Sequence, residues 1–383
     1  MSQHLPSGRR RLGAALLPTA SITLVLLLAT GAGIARIAAG DPSAQASELL
    51  PRAAHSLLLD VVATPGGFFA VGERGHVLHS TDGAHWDQAK VPTRATLTAI
   101  AAVGDQLWAA GHDGVIVHSA DGGKTWTAQR RDPFDASIDP NQRDPRQGAP
   151  ILDLLFTDAT HGLAIGAYSL MLETSDGGAT WTPKEAVAPA QPSSEPAPAM
   201  QGDVFSAADL ELDEESDPHF NAIADAGNGT LVLVGERGTL LRSDDAGASW
   251  RRMPFPYKGS MFGVLALGNG RLLAYGLRGN AFESPDLGAT WTKVPAQGSA
   301  SWMGGAALAD GGAVLVGANG SLLVRDGANG AYRASSFRNA AGEMPALAGV
   351  VADGKGGYVL VGDKGAERMA AGGMAAGSGT ESR

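Results

Sequence analysis

Seven copies of one short phrase run through this 383-residue chain: an apolar residue, a glycine, two variable residues and, in six copies, a second glycine. They begin at Val71, Ala110, Ile165, Val234, Tyr275, Val316 and Val361, and their first glycines are Gly72, Gly111, Gly166, Gly235, Gly276, Gly317 and Gly362. Successive glycines lie 39, 55, 69, 41, 41 and 45 residues apart. The unit is therefore about forty residues long, and two gaps carry insertions of roughly 15 and 29 residues. Each unit reads as an apolar segment, a glycine-rich turn, a second apolar segment, the phrase, a third segment, and a tight polar turn ending in Trp. That pattern predicts four short strands per unit.

The polar turn is specific. Ser119–Trp126, Thr174–Trp181, Ser243–Trp250 and Ser284–Trp291 each carry an Asp, a Gly and a terminal Trp at fixed offsets, with a contracted copy at Ser80–Trp86 and a degenerate one around Asp326, Gly327 and Tyr332. These are Asp boxes. The carboxylate accepts backbone amides of its own turn, the glycine takes positive φ, and the Trp packs between neighbouring sheets. Their residues are consumed by turn geometry, so they identify architecture and not activity.

A four-stranded sheet repeated seven times cannot bury both faces alone, so the sheets stack radially. The predicted fold is all-β, a seven-bladed β-propeller with four-stranded antiparallel blades over residues 47–370. The seventh unit dissolves into Gly, Ala and Ser after about Ala366, and residues 371–383 read as a disordered tail. Its outer strand is missing, and Glu48–Ala53 is expected to supply it.

Residues 1–46 stand apart. Arg9–Arg11 precede the apolar run Leu12–Ala35, and Ser43–Ala46 offers a small-residue cleavage site, the layout of an export signal. The run is also long enough to remain as an uncleaved anchor; in either case the propeller is expected to be periplasmic or otherwise exported. The chain has no cysteine, which excludes thiol chemistry, and 39 acidic against 29 basic residues give a net charge of −10. Removing residues 1–46 takes away four arginines and one aspartate, making the remainder more acidic still. Nucleic acid is a poor partner for such a surface, and a monomer is expected.

The insertions are 130–150, mixing charges with prolines, and 184–218, a Pro/Ala segment ending in the acidic stretch Asp209–Asp217. The acidic stretch lacks the glycine-centred spacing of an EF-hand loop and reads as a solvated loop. Both insertions join the fourth strand of one blade to the first of the next, so they open on the face that carries the seven phrases. The second turn position there reads Arg74, Asp113, Ser169, Arg237, Arg278, Asn319 and Lys364, four basic residues in an acidic protein. Arg74, Arg237, Arg278 and Lys364, with His112 and Tyr257, are the candidate partner-binding residues.

The Asp boxes and glycine phrases over residues 50–365 resemble the photosystem II stability/assembly factor family of propellers and its exported bacterial relatives. Further segments carry the likeness: Leu50–Ser56, Gly111–Gly114, His219–Ile223 and Pro256–Gly263. The resemblance implies a non-enzymatic helper of membrane-protein assembly that needs no cofactor or metal. It also implies an arginine-rich interaction surface and a membrane protein or membrane transporter complex as client.

The rival class is a sialidase-like glycoside hydrolase, which shares Asp boxes. It requires three arginines around a carboxylate and a tyrosine activated by a carboxylate; Arg74, Arg237 and Arg278 could imitate the first, and Tyr275 or Tyr168 the second. A carbohydrate-binding propeller is the third reading, favoured if Trp108, Trp302 and Tyr257 line the axial face. The histidines are dispersed. Only His76 and His79 are close, and on a strand that spacing places them on opposite faces.

Overall fold

The computed structural model describes residues 41–139, 141–186, 217–296 and 298–370. These residues contain 27 strands, β1 to β27 in chain order, in seven antiparallel sheets. Blade 1 is β1 (Leu58–Thr64), β2 (Gly67–Gly72), β3 (Val77–Ser80) and β4 (Asp87–Ala89), and five more blades repeat this meander. The seventh has three strands, β25 (Leu347–Ala352), β26 (Tyr358–Gly362) and β27 (Gly365–Met369). The fold is the seven-bladed propeller expected from the repeat.

The second strand of each unit is apolar after its first residue because neighbouring blades cover both of its faces. Phe68–Val71, Leu107–Ala110 and Leu231–Val234 are all buried. The core divides into seven clusters, one between each pair of adjacent blades. Between blades 1 and 2, Phe69, Val71, Leu97, Leu107 and the Asp-box Trp126 pack together. Each such Leu or Phe contributes roughly 1.5–3 kcal/mol.

The Asp boxes behave as turn chemistry dictates. Asp121 Oδ1 accepts the Thr125 amide (2.9 Å) and the Ser119 hydroxyl (2.8 Å), and Trp126 Nε1 donates to Gly123 O (3.0 Å). The Thr125 hydroxyl, together with its amide, holds the Asp121 carboxyl down at about 2.

Ring closure differs from the sequence expectation. Residues 48–52 form no strand, and Ala53–His55 form a short 3₁₀ turn. The backbone groups of this stretch are taken by blade 1: Gln88 donates to Glu48 O (2.9 Å) and accepts from Leu50 N (2.8 Å). Ser47 N donates to Val91 O (2.8 Å), and Pro51 has no amide to offer β27. Closure is instead a packing event. Ala53, with Leu50 and Ala54 against it, joins Leu58, Val61 and Phe68 of blade 1 to Val359 and Val361 of blade 7.

The preceding residues form a strap. Ser43 is fully buried, Arg94 N donates to Pro42 O (2.8 Å), and Arg131 Nε donates to Ser43 O (2.7 Å). The small-residue site Ser43–Ala46 thus lies inside a docked segment, and cleavage after Ala46 would remove these contacts. A chain starting at His55 loses the closing residues as well and should melt several degrees below one starting at Asp41, a cost of about 3 kcal/mol or more. Calorimetry of the two checks this; equal melting temperatures would mean that the stretch before His55 does not close the ring.

The inner strands surround the axis, and six polar or small residues share one feature with Asp60. Every inner strand is bulged near its start, and the residue after the bulge is Asp60, Ala99, Asp153, Ala222, Gly263, Gly304 or Gly349 in blades 1 to 7. One side of the ring is stitched by side chains. Asp60 Oδ2 accepts Ile100 N of blade 2 (2.9 Å), the Thr98 hydroxyl donates to Ile151 O of blade 3, Asp153 Oδ2 accepts Ile223 N of blade 4 (2.9 Å), and Asn221 Nδ2 donates to Met261 O of blade 5 (2.9 Å). On the other side backbones meet directly: a Cβ at Gly304 would overlap the Ala348 carbonyl.

Candidate functional site

The face carrying the β2–β3 type hairpins is built by one local rule. A Cβ on the first glycine of the phrase would overlap a backbone carbonyl at the start of the inner strand: Leu57 O for Gly72, Thr96 O for Gly111, Ser301 O for Gly317. Only glycine allows that approach. In four blades the next three residues form a single 3₁₀ turn with a left-handed middle residue, and the middle residues are Arg74 (φ 55°), Asp113 (56°), Arg278 (57°) and Asn319 (55°). Arg237 takes the same conformation in blade 4 (φ 54°).

Two sequence assignments change here. In blade 3 the equivalent residue is Tyr168 (φ 56°), and Ser169 (φ 56°) stands where the other blades have the second glycine. In blade 7, Gly362 pairs directly with Gly365, so Asp363 and Lys364 form a two-residue turn, and Lys364 has no left-handed φ. Its ammonium sits 3.4 Å from Glu343 Oε1. Lys364 is therefore not the geometric counterpart of the three arginines.

Hairpins and interblade connections share the face, as the sequence requires. Asp132 N donates to Asp113 O (2.8 Å), and Ser169 N donates to Pro218 O (2.9 Å) where the second insertion rejoins the described chain. Most of that insertion, 187–216 with nearly all of the acidic stretch, lies outside the described residues, as do residues 1–40 and the tail 371–383. His112 is exposed beside Asp113, whose carboxyl is raised by burial and by Asp41. Tyr257 is half-buried, stacked on Phe282 (6.1 Å), and its carbonyl faces Gly238 of the Arg237 hairpin. Arg74, Arg237 and Arg278 are exposed.

Sequence reasoning missed the apolar part of this face. Tyr168 (42 % exposed), Met303 (47 %), Phe134 (55 %) and Met344 (37 %) all belong to hairpins, inner-strand starts or connections on it. Tyr168 packs edge-on against His219 (5.1 Å), which lies 3.7 Å from Glu236, the neighbour of Arg237. Phe134 lies under the Arg143 guanidinium (4.1 Å). No periodicity marks Met303, Phe134 or Met344, because their exposure depends on where the blade ends and not on strand alternation.

The comparisons with known proteins agree with this architecture. Residues 25–142 match the family described as DUF6242 beta propeller domain, and residues 142–195 match the one described as Photosynthesis system II assembly factor YCF48. The chain is a β-propeller that is similar, over parts of its length, to the photosystem II assembly factors. It is 31 % identical over 109 residues to the chloroplastic photosystem II stability/assembly factor HCF136 of Oryza sativa subsp. japonica, spanning 28 % of this chain and 21 % of that protein. It is 28 % identical over 174 residues to the photosystem II assembly lipoprotein Ycf48 of Synechococcus sp. (strain CC9902), spanning 43 % of this chain and 48 % of that one. The chain thus matches about a fifth and about half of the length of these relatives. A solved structure of YCF48 bound to D1 peptide superposes with a TM-score of 0.57 at 15 % identity, covering 85 % of this chain and 94 % of that one, a likeness of fold.

Three aromatic residues that the rival readings call on, Tyr275, Trp108 and Trp302, are buried. Tyr275 is 5 % exposed, and burial, then Asp153 and Asp60, push its hydroxyl well above the ordinary phenol range, opposite to an activated nucleophile. Trp108 (0 % exposed) and Trp302 (2 %) are interblade core residues and offer no sugar platform; Trp108 stacks on Phe156 at 3.7 Å.

Proposed function

We propose that this chain is an exported, non-enzymatic assembly or stability factor that binds a membrane protein, such as a transporter complex, through its hairpin face. The observation that carries the reading is the left-handed conformation of Arg74, Arg237 and Arg278. Asn, Asp and Gly enter that region most readily, and blades 2 and 6 use Asp113 and Asn319 there. A long cationic side chain is a costlier choice for the turn, so the arginines point to selection for something other than the turn. They share the face with Tyr168, Met303 and Met344, the mixture of cation, aromatic and Met that protein-binding surfaces favour.

The partner suited to it is an extended acidic segment or a C-terminal carboxylate, which guanidinium groups grip with paired hydrogen bonds. The names of the relatives, assembly factors and one structure with a bound membrane-protein peptide, support this reading. Replacing Arg237 and Arg278 together by Asn should leave the melting temperature unchanged or slightly higher, because Asn suits the turn better. Partner capture from crosslinked membranes should fall about thirtyfold, equivalent to about 2 kcal/mol. Undiminished capture by the double variant would remove the arginines from the binding surface.

A further inference from the structure

Among the described residues blade 7 alone lacks a fourth strand, so β27 is the outer strand of its sheet. We propose that the outer edge of β27 receives an extended acidic segment of a partner protein, which adds there as the fourth strand.

The hairpin fixes which backbone groups face outward. Gly362 pairs with Gly365 across the two-residue turn Asp363–Lys364, so Gly365, Glu367 and Met369 bond inward to β26. The amides and carbonyls of Ala366 and Arg368 therefore point away from the sheet. In other blades the counterparts of these groups are taken. Met171 O, Leu240 O and Ala281 O, which stand where Ala366 O stands, accept from Lys184 N (2.9 Å), Met253 N (2.8 Å) and Val294 N (2.9 Å). Glu173, Arg242 and Glu283, the counterparts of Arg368, pair with Thr182, Arg251 and Thr292 of their fourth strands. No backbone hydrogen bond reaches the outer edge of β27 from any described residue. Ala54 and His55 abut the strand at Gly365, while Ala366 is half-buried and Arg368 exposed.

Side chains beside the edge select the occupant. Ala366 packs against the cluster between blades 7 and 1, so Arg368, two residues on, faces blade 1 as well. A cleft of about 310 Å³ opens there, with Phe68, Thr81, Asp82, Asp353, Lys355 and Arg368 in its lining. Its carboxylates are already engaged. Asp353, with a side chain 3 % exposed, accepts from Lys355 N (2.8 Å), Gly357 N (2.8 Å) and Arg368 Nη2 (3.0 Å). Asp82 accepts from Ala84 N (2.8 Å) and His85 N (2.9 Å) of its own turn. Arg368 and the exposed Lys355 supply the cationic side, and an acidic side chain opposite Arg368 makes the matching cross-strand pair.

A second copy of the chain suits the edge poorly. Antiparallel self-pairing through Ala366 and Arg368 sets Glu367 against Glu367, Arg368 against Arg368, or Arg368 against Lys364, according to register. Like charges directly opposite one another are destabilising. A short segment of another protein is enough: the fourth strands Thr182–Pro183, Arg251–Arg252 and Thr292–Lys293 are exposed, so the position asks for backbone pairing and little burial.

The test places the photo-crosslinker benzoylphenylalanine at position 81 of the full chain, in the cells that express it, and sequences the crosslinked peptides by mass spectrometry. The expected product joins that position to an acidic segment of a different protein. Arg368→Pro removes an outward amide and no bond to β26, and should lower the yield about tenfold. Arg368→Ala loses the same guanidinium but keeps the amide, and should lower it only about two- to threefold. If Arg368→Pro does not fold, a synthetic peptide of the captured segment replaces it: N-methylation of the residue opposite Arg368 should weaken binding about tenfold. Equal losses in the two variants, or binding indifferent to N-methylation, overturn strand addition. So does the absence of a product, or a product formed with residues 371–383 or with a second copy of this chain. The hairpin arginines take no part, so failure here leaves the reading of the hairpin face standing.

Discussion

Removing either end of the Arg325–Glu283 ion pair should be the most destabilising single change outside the apolar core, at about 3–5 kcal/mol. Blade 6 lacks the Asp-box Trp, and a polar group fills the corresponding space. Arg325 is 2 % exposed, at the end of β23 (Ser321–Arg325), and pairs with Glu283 of blade 5. It also donates to Gly311 O (3.1 Å) and lies over the Tyr332 ring (5.0 Å), while the Tyr332 hydroxyl donates to Glu283 (2.8 Å) and Arg271 approaches the same carboxylate (3.5 Å). Arg325→Met leaves the Glu283 carboxylate without its main partner. Glu283→Gln strands a buried guanidinium. Because the desolvation of both charges disappears together, the double variant should be less destabilised than the sum of the singles by more than about 1 kcal/mol. Denaturant unfolding of the four proteins measures this, and strict additivity would show that the pair is not coupled.

Stability should rise as pH falls from 8 to about 5, and the source should be the two axial aspartates. Burial raises Asp60 to about 6, and burial with the nearby Asp60 charge raises Asp153 to about 7, against an ordinary carboxyl near 3.8. Between these values the folded chain holds more protons than the unfolded chain, so the slope of stability with pH is negative there. The stabilisation is complete below the unfolded value and is lost as pH rises through the folded ones. Taken together, and discounted for their partial exposure, the two groups are worth about 3 kcal/mol across that window. The Asp boxes act in the opposite sense. Asp121 and Asp245, held at about 2 by their own turns, contribute above the unfolded value and are lost as pH falls through about 4 to 2. A stability maximum near pH 5 follows. Asp60→Asn/Asp153→Asn should flatten the alkaline side while leaving the acid side intact; a double variant as pH-sensitive as wild type between 5 and 8 would locate the effect elsewhere.

The sequence alone determined the fold because its signals are local and repeated. A glycine that must lie against the next strand's carbonyl, and an Asp whose carboxylate closes its own turn, are obligatory wherever they occur; seven glycine phrases and four full Asp boxes therefore fix blade number and strand order. It also placed Arg74, Arg237, Arg278 and His112 on one face, since hairpin position follows from strand order. The tertiary structure decided what depends on contacts between distant segments. Glu48–Ala53 closes the ring by packing, because Gln88 satisfies the Glu48 carbonyl and the Leu50 amide, backbone groups that the sequence reading assigned to the last blade. Lys364 leaves the arginine set because the last hairpin is tighter. Asp60, Asp153 and Tyr275 come from blades 1, 3 and 5. They are separated by up to about two hundred residues and share no motif, and only closure of the ring brings them to one axis.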